Sequence, residues 1–423
     1  MGNYIMEGTF IFTPSKDKFE VKEDSFLVVL DNKVEGIYKE IPSEYSSLKV
    51  IDNKGKIIIP GFVDLHVHAP QYKYRSTGMD LELLDWLNTY TFPEESKFKD
   101  NEYAKRIYST FVEELKRGPS TRLCLFATIH REATLTLMDL LEKSGLSTYV
   151  GKVNMDRNSP DYLIETTEES IEETKNWIEE SRKRGFKNTK PILTPRFTPS
   201  CSDELMMGLK KITEEYDVPF QSHLSENDKE IEWVKQLEPQ VDNYGEAYNQ
   251  FGLFGGDVKT IMAHCVSSPK EEIQLMKDNG VFVAHSPESN MNIRSGIAPI
   301  SMFLKEGLKV GLATDMAGGS SPDMFRAISC AIQASKLYWR LVDDSYGYLS
   351  TSEAFYLATK GGGEFFGKVG SFESGFEFDA VVLDDSSISF SDEFSPSDRL
   401  EKMIYLADSS NVVEKYVSGV KVL

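Results

Sequence analysis

Residues Phe62–His68 read FVDLHVH, an apolar run whose last four positions alternate histidine with Leu65 and Val67. On a β-strand alternate side chains share a face, so His66 and His68 project together. Their α-carbons stand about 7 Å apart along such a strand, close enough for both imidazoles to chelate one ion. Two independently bonded core histidines are the competing account, but H-x-H directly after an apolar strand and Asp64 favours a metal. Neutral imidazole suits zinc or iron.

Seven further runs of this kind follow: Thr121–Ile129, Ser147–Met155, Lys190–Phe197, Pro219–Ser225, Thr260–Cys265, Val281–Pro287 and Lys309–Asp315. Between them lie polar stretches such as Thr166–Lys183, Asp203–Tyr216 and Lys270–Asn279, with apolar residues at three- and four-residue spacing. Strands alternating with helices imply parallel β–α units. An open doubly wound sheet would scatter its strand ends along an edge. Here histidines or charged residues mark nearly every run end: His66 and His68, His130, Arg196, His223, His264, His285 and Asp315. A closed α/β barrel of the (β/α)8 TIM type gathers such ends at one mouth. The barrel is therefore expected over residues 58–368. Residues 1–57 and 369–423 read as all-β at Glu7–Thr13, Ser25–Leu30, Val34–Tyr38, Ala380–Leu383 and Val412–Val422, and are expected to pair into a small β-sandwich. The connection Ala69–Ser120, containing LELLDWL, is long enough for a lid or a dimer surface.

His223, Glu226 and Asp315 extend the metal argument. His223 ends one run and Asp315 another, so His66, His68, His223 and Asp315 make an N3O set with room for water. His264 is expected to orient that water and stabilise developing charge rather than bind the ion. His130 and His285 read as rim histidines without metal contact. Arg196 at a strand end presents a planar fork of donors suited to paired acceptors on a ring ligand, and Gln71 follows His68 by three residues. Phe197 and Trp86 are candidates to stack on the ring, although aromatics at such spacings are more often core.

The chain has 423 residues, with 47 Lys plus Arg against 67 Asp plus Glu, and a formal net charge of −20. That field repels polyanions, and no basic patch offsets it, so nucleic acid and anionic membranes are excluded as partners. No apolar run approaches the ~18 residues of a membrane span. The first ten residues, MGNYIMEGTF, lack the basic and apolar regions of a signal peptide, so a cytoplasmic protein is expected. The four cysteines (Cys124, Cys201, Cys265, Cys330) are widely spaced, consistent with reduced, buried thiols. The zinc cytidine-deaminase pattern H-x-E…P-C-x-x-C does not occur.

PGFVDLHVHAPQY (60–72), TPRF (194–197), HLSEN (223–227), MAHC (262–265), HSPESNMNIRSG (285–296) and LATDMAGG (312–319) resemble the amidohydrolase superfamily, and within it the guanine deaminases. The resemblance is collinear from about Pro60 to Ala380. The first motif marks the superfamily; HAPQY with TPRF and HLSE is narrower. It implies one zinc per chain on His66, His68, His223 and Asp315, with iron the other candidate, and Glu226 as proton shuttle. It also implies His264 beside the reacting water, and a purine held by Gln71, Arg196 and Phe197 beside His68, His223, Glu226 and Asp315. Asp315 would accept the second water proton, and a homodimer is the common assembly. A second metal would need a carboxylated lysine at the end of the fourth run, where Arg196–Phe197 stands instead. The same chemistry on 8-oxoguanine, cytosine, an adenosine derivative or an s-triazine is the alternative. A metal-dependent amidase lacks its lysine here, and an inert scaffold should have lost ligands, whereas every expected ligand is present.

Overall fold

The computed structural model describes residues 2–389 and 394–423. Eight parallel strands follow the expected order: β1 (Phe62–His68), β2 (Ser120–Phe126), β3 (Ser147–Gly151, continued by Val153–Asn154), β4 (Thr189–Pro191, continued by Thr194–Pro195), β5 (Phe220–Leu224), β6 (Thr260–His264), β7 (Phe282–His285) and β8 (Lys309–Leu312). β1–β4 form one four-stranded sheet and β5–β8 another, each in sequence order. Leu193 bridges Phe220 between them, and Gln221 donates its amide to the Leu193 carbonyl at 2.9 Å. On the opposite side the amide of Asp315 donates to His66 O at 2.9 Å, and that of His68 donates to Met316 O at 3.0 Å. These bonds carry the hydrogen-bonding from β4 into β5 and from the end of β8 back to β1.

Helices Thr167–Lys183, Asp203–Tyr216 and Lys270–Asp278 lie within one residue of the stretches read from spacing. Local chemistry sets their starts. Thr166 and Glu169 form a reciprocal capping box, and Ser202 caps the second helix through the Leu205 amide. Such caps satisfy amides that the first turn leaves without partners.

The terminal segments knit together. Strand Lys49–Pro60 pairs in parallel with Tyr4–Ser15 and antiparallel with Ala380–Leu383, at the centre of a seven-stranded sheet. Period two divides its faces: Tyr4, Met6, Phe10, Phe12 and Ile58 join one cluster, while Ile11, Ile57 and Ile59 join the core under the eight strands. The first cluster draws only on the sheet's own strands plus Phe372 and Phe378. The sheet's ladder is continuous, rather than two separate sheets. Arg122 of β2 ties the sheet to the parallel strands, donating from Nε to Asp379 at 2.7 Å and from Nη2 to Glu377 at 2.8 Å.

The long connection folds into short helical turns, including Leu83–Trp86 and Phe92–Glu95, before helix Asn101–Arg117. Among the described residues no helix is long and apolar enough to cross a membrane. All four cysteines are buried and free.

Candidate active site

Each predicted metal-binding residue arrives at the same end of the parallel strands. His66 and His68 are the last alternate residues of β1, and His223 lies near the end of β5. Asp315 follows β8 by three residues in a left-handed conformation, φ 45°. The last residue of β6, His264, also has a positive φ, 74°. Non-glycine residues seldom adopt this region, and such strain concentrates where side chains must be aimed at a site. Asp64 fixes the frame, accepting from the Thr314 amide at 3.1 Å and from its hydroxyl at 2.5 Å, and so locks β1 to the segment beyond β8.

The ring nitrogens converge. His68 Nε2 lies 3.1 Å from His66 Nε2 and 3.2 Å from His223 Nε2, and Asp315 Oδ1 lies 3.1 Å from His66 Nε2. Donor atoms about 2.0–2.1 Å from a tetrahedral ion stand about 3.3 Å from one another, so these spacings are those of neighbouring donors on one divalent ion; the groups within reach of a single ion are His66, His68 and Asp315, and His66, His223 and His264. Tautomers support it: the close approach of His223 Nδ1 to the Arg196 carbonyl, 2.6 Å, puts the proton on Nδ1 and leaves the Nε2 lone pair facing inward. Burial pulls the basicity of His66, His68 and His223 down, favouring the neutral, ligating form.

Glu226 and His264 form the wall beside this quartet. His264 Nε2 lies 3.3 Å from Glu226 Oε2 and 3.8 Å from Asp315 Oδ2, with its Nδ1 bonded to Asn290 Oδ1 at 2.8 Å. His264 also falls within reach of the His66 and His223 nitrogens, so its imidazole can serve as either a ligand or a neighbour of bound water. The two carboxylates differ in character. Burial, and then the charge of Asp315, pushes Glu226 well above the usual carboxylate range. For Asp315 burial acts upward, but His66 and His264 outweigh it and hold the group at about 2. One carboxylate kept ready to carry a proton beside one kept ionised is the division of labour that acid–base chemistry requires.

Gln71, Arg196 and Phe197 line the same cavity, which Leu83, Trp86, Leu87 and Ile293 complete. The long connection thus roofs the site through Leu83, Trp86 and Leu87. Phe197 meets Trp233 edge-on at 6.0 Å, and Trp86 donates its indole N–H to Thr77 O at 2.9 Å.

Two residues that the sequence reading did not single out stand here. Glu95 is 1% exposed and accepts from Arg196 Nη1 at 2.7 Å, from Arg196 Nη2 at 3.2 Å and from Gln71 Nε2 at 3.1 Å. Glu230 lines the same cavity and is pushed by burial, and then by Glu226, up to about 7. His130 opens helix Arg131–Ser144 outside both metal-capable groups. His285 departs from its expected rim position: it is 1% exposed, and neither ring nitrogen has a hydrogen-bond partner among the described residues.

Residues 57–422 match the Amidohydrolase family. A guanine deaminase of Dictyostelium discoideum is 38% identical, over 99% of this chain and 98% of its own length. One from Escherichia coli K12 is 34% identical, over 94% and 90%. The crystal structure of a guanine deaminase from C. acetobutylicum with guanine bound in its active site superposes with a TM-score of 0.96 at 47% identity, covering 100% of both chains. With a TIM-barrel-like fold and a histidine–aspartate centre at its mouth, the chain belongs to the amidohydrolase family, among the guanine deaminases.

Proposed function

We propose that the chain hydrolyses guanine to xanthine and ammonia with the help of one zinc ion held by His66, His68, His223 and Asp315. The observation that carries this reading is one cavity lined by His68, His223, Asp315 and Glu226 together with Gln71, Arg196 and Phe197, beside two overlapping metal-capable trios, His66–His68–Asp315 and His66–His223–His264. Spacing and tautomers suit zinc, which when bound brings the pKa of water towards ~7. Iron is the alternative ion.

Each side chain then has a defined task. Glu226 takes a proton from the attacking water and delivers it to ring N3, which makes C2 electrophilic. His264, oriented by Asn290, faces the oxygen that adds to C2 and stabilises charge developing there. Asp315, kept ionised, accepts the second proton, which leaves with the 2-amino group as ammonia. Arg196 has five N–H groups and spends two on Glu95, so others remain for O6 and N7 of the base. His68 and His223 border the same cavity and bound the ring on the metal side, while Phe197 covers its face.

We further infer a closed (β/α)8 barrel over 58–368, with residues 1–57 and 369–423 as a composite sandwich formed by the terminal sheet. A cytoplasmic homodimer is the state the family likeness supports. A panel of ring amines, followed by ammonia release, tests the substrate. Guanine should be converted with xanthine as product; preferential turnover of 8-oxoguanine, cytosine, an adenosine derivative or an aminotriazine would overturn the assignment.

A further inference from the structure

Arg196 and Gln71 do not stand alone in their wall; both are held by the same buried carboxylate. Glu95 ends the short helix Phe92–Glu95 and receives three N–H groups, two from Arg196 and one from Gln71. All three residues are at most 3% exposed. The guanidinium is also stacked over the Phe92 ring, 5.1 Å from its centroid, so one helical turn grips it twice. Gln71 is fixed at both ends, since its Oε1 accepts from the Ala317 amide at 3.4 Å while its Nε2 donates to Glu95. Without Glu95 the arginine would regain its rotamer freedom, and the amide could turn over and offer the wrong atom to the base.

The charge matters as much as the geometry. A guanidinium buried alone would make this wall cationic and attract any anion that fitted. Paired with Glu95 it offers hydrogen-bond donors without net charge, so it recognises a neutral heterocycle by its acceptor pattern. Specificity of this kind works by penalising the wrong ligand as well as holding the right one.

We propose that Glu95 is a positioning and charge-balancing residue of the purine pocket, which orders Arg196 and Gln71 for a neutral base and turns anionic rings away. This rests on the guanine reading above. Its first test is Glu95→Gln, which keeps the side-chain shape but removes the negative charge and turns an N–H towards the arginine. KM for guanine should rise about tenfold while kcat stays within about threefold, the signature of lost binding that is shared by ground and transition states. Purine-6-carboxylate, an anion at neutral pH, should bind Glu95→Gln at least tenfold more tightly than it binds the native chain, as read by calorimetry. In the Arg196→Ala background, Glu95→Gln should cost little more, because it acts through the arginine. Glu95→Asp, which keeps the charge on a shorter arm, should raise KM without gaining affinity for the anion; it carries the test if the glutamine variant folds poorly. Parallel loss of kcat and thermal stability with unchanged anion affinity would overturn the proposal, leaving Glu95 a purely structural residue. Calorimetry does not depend on turnover, so failure of the native chain to process guanine would count against the substrate reading and leave the Glu95 result standing.

Discussion

Replacing Glu226 by glutamine isolates proton transfer from every other property of the site. The carboxylate is 2% exposed, its Oε1 accepts from Ser295 Oγ at 3.2 Å, and its Oε2 lies 3.3 Å from His264. Glutamine preserves that volume and can still accept from Ser295, but it cannot pick up a proton and deliver it. Loss of general acid–base catalysis costs about 10²- to 10⁴-fold, or about 2.7–5.4 kcal/mol of barrier. The loss should appear in kcat, because the proposed metal ligands and the Arg196 wall are untouched. Burial raises the pKa of Glu226, so its ionised form is costly to hold in the fold, and the amide should leave thermal stability equal or higher. Xanthine formation at saturating guanine, with metal content measured on the same preparation, reads both quantities. A variant that kept its metal and more than a tenth of native turnover would refute the role, and another group would have to move the proton.

Other perturbations probe separate parts of the molecule. Arg196→Ala should cost ~10–100-fold in kcat/KM for guanine, since a bidentate pair discriminates by ~1–3 kcal/mol. It should also lower stability by about 3–5 kcal/mol, because Glu95 is left buried without its cation; denaturant unfolding checks this. Arg122→Met breaks the bonds to Asp379 and Glu377 and should lower stability by a similar amount, with native KM in the protein that stays folded. Burial, and then Lys152 and Lys99, holds His130 at about 4. The unfolded chain therefore binds the extra proton between about pH 6.5 and 4, and stability falls as pH drops through that window. His130→Gln should flatten the pH dependence of unfolding there, and an unchanged slope would show that His130 is solvated.

The sequence carried the strand order and the proposed metal ligands because both rest on simple periodicities. His66 and His68 announce themselves by period two, and His223 and Asp315 by standing at run ends. Gln71 and Glu226 came from motif likeness, since neither position has a periodicity of its own. Glu95 escaped because an acidic residue after proline, in PEES, reads as a solvated helix start; only tertiary folding brings it against Arg196, 101 positions away. The strand Lys49–Pro60 was hidden by its polar middle, DNKGK, which faces solvent at several positions and breaks the alternation expected of a half-buried strand. The strain at His264 and Asp315 leaves no mark in composition, as both are ordinary residues forced into the left-handed region by their neighbours.

The central claim, a single-metal guanine hydrolase, is tested most directly by stripping the chain with a chelator and titrating zinc back while following guanine conversion to xanthine. Activity should be absent from the stripped protein, rise in proportion to added zinc, and break sharply at one ion per chain. Full activity without metal, a break at two ions, or a zinc-loaded chain that leaves guanine untouched would contradict it.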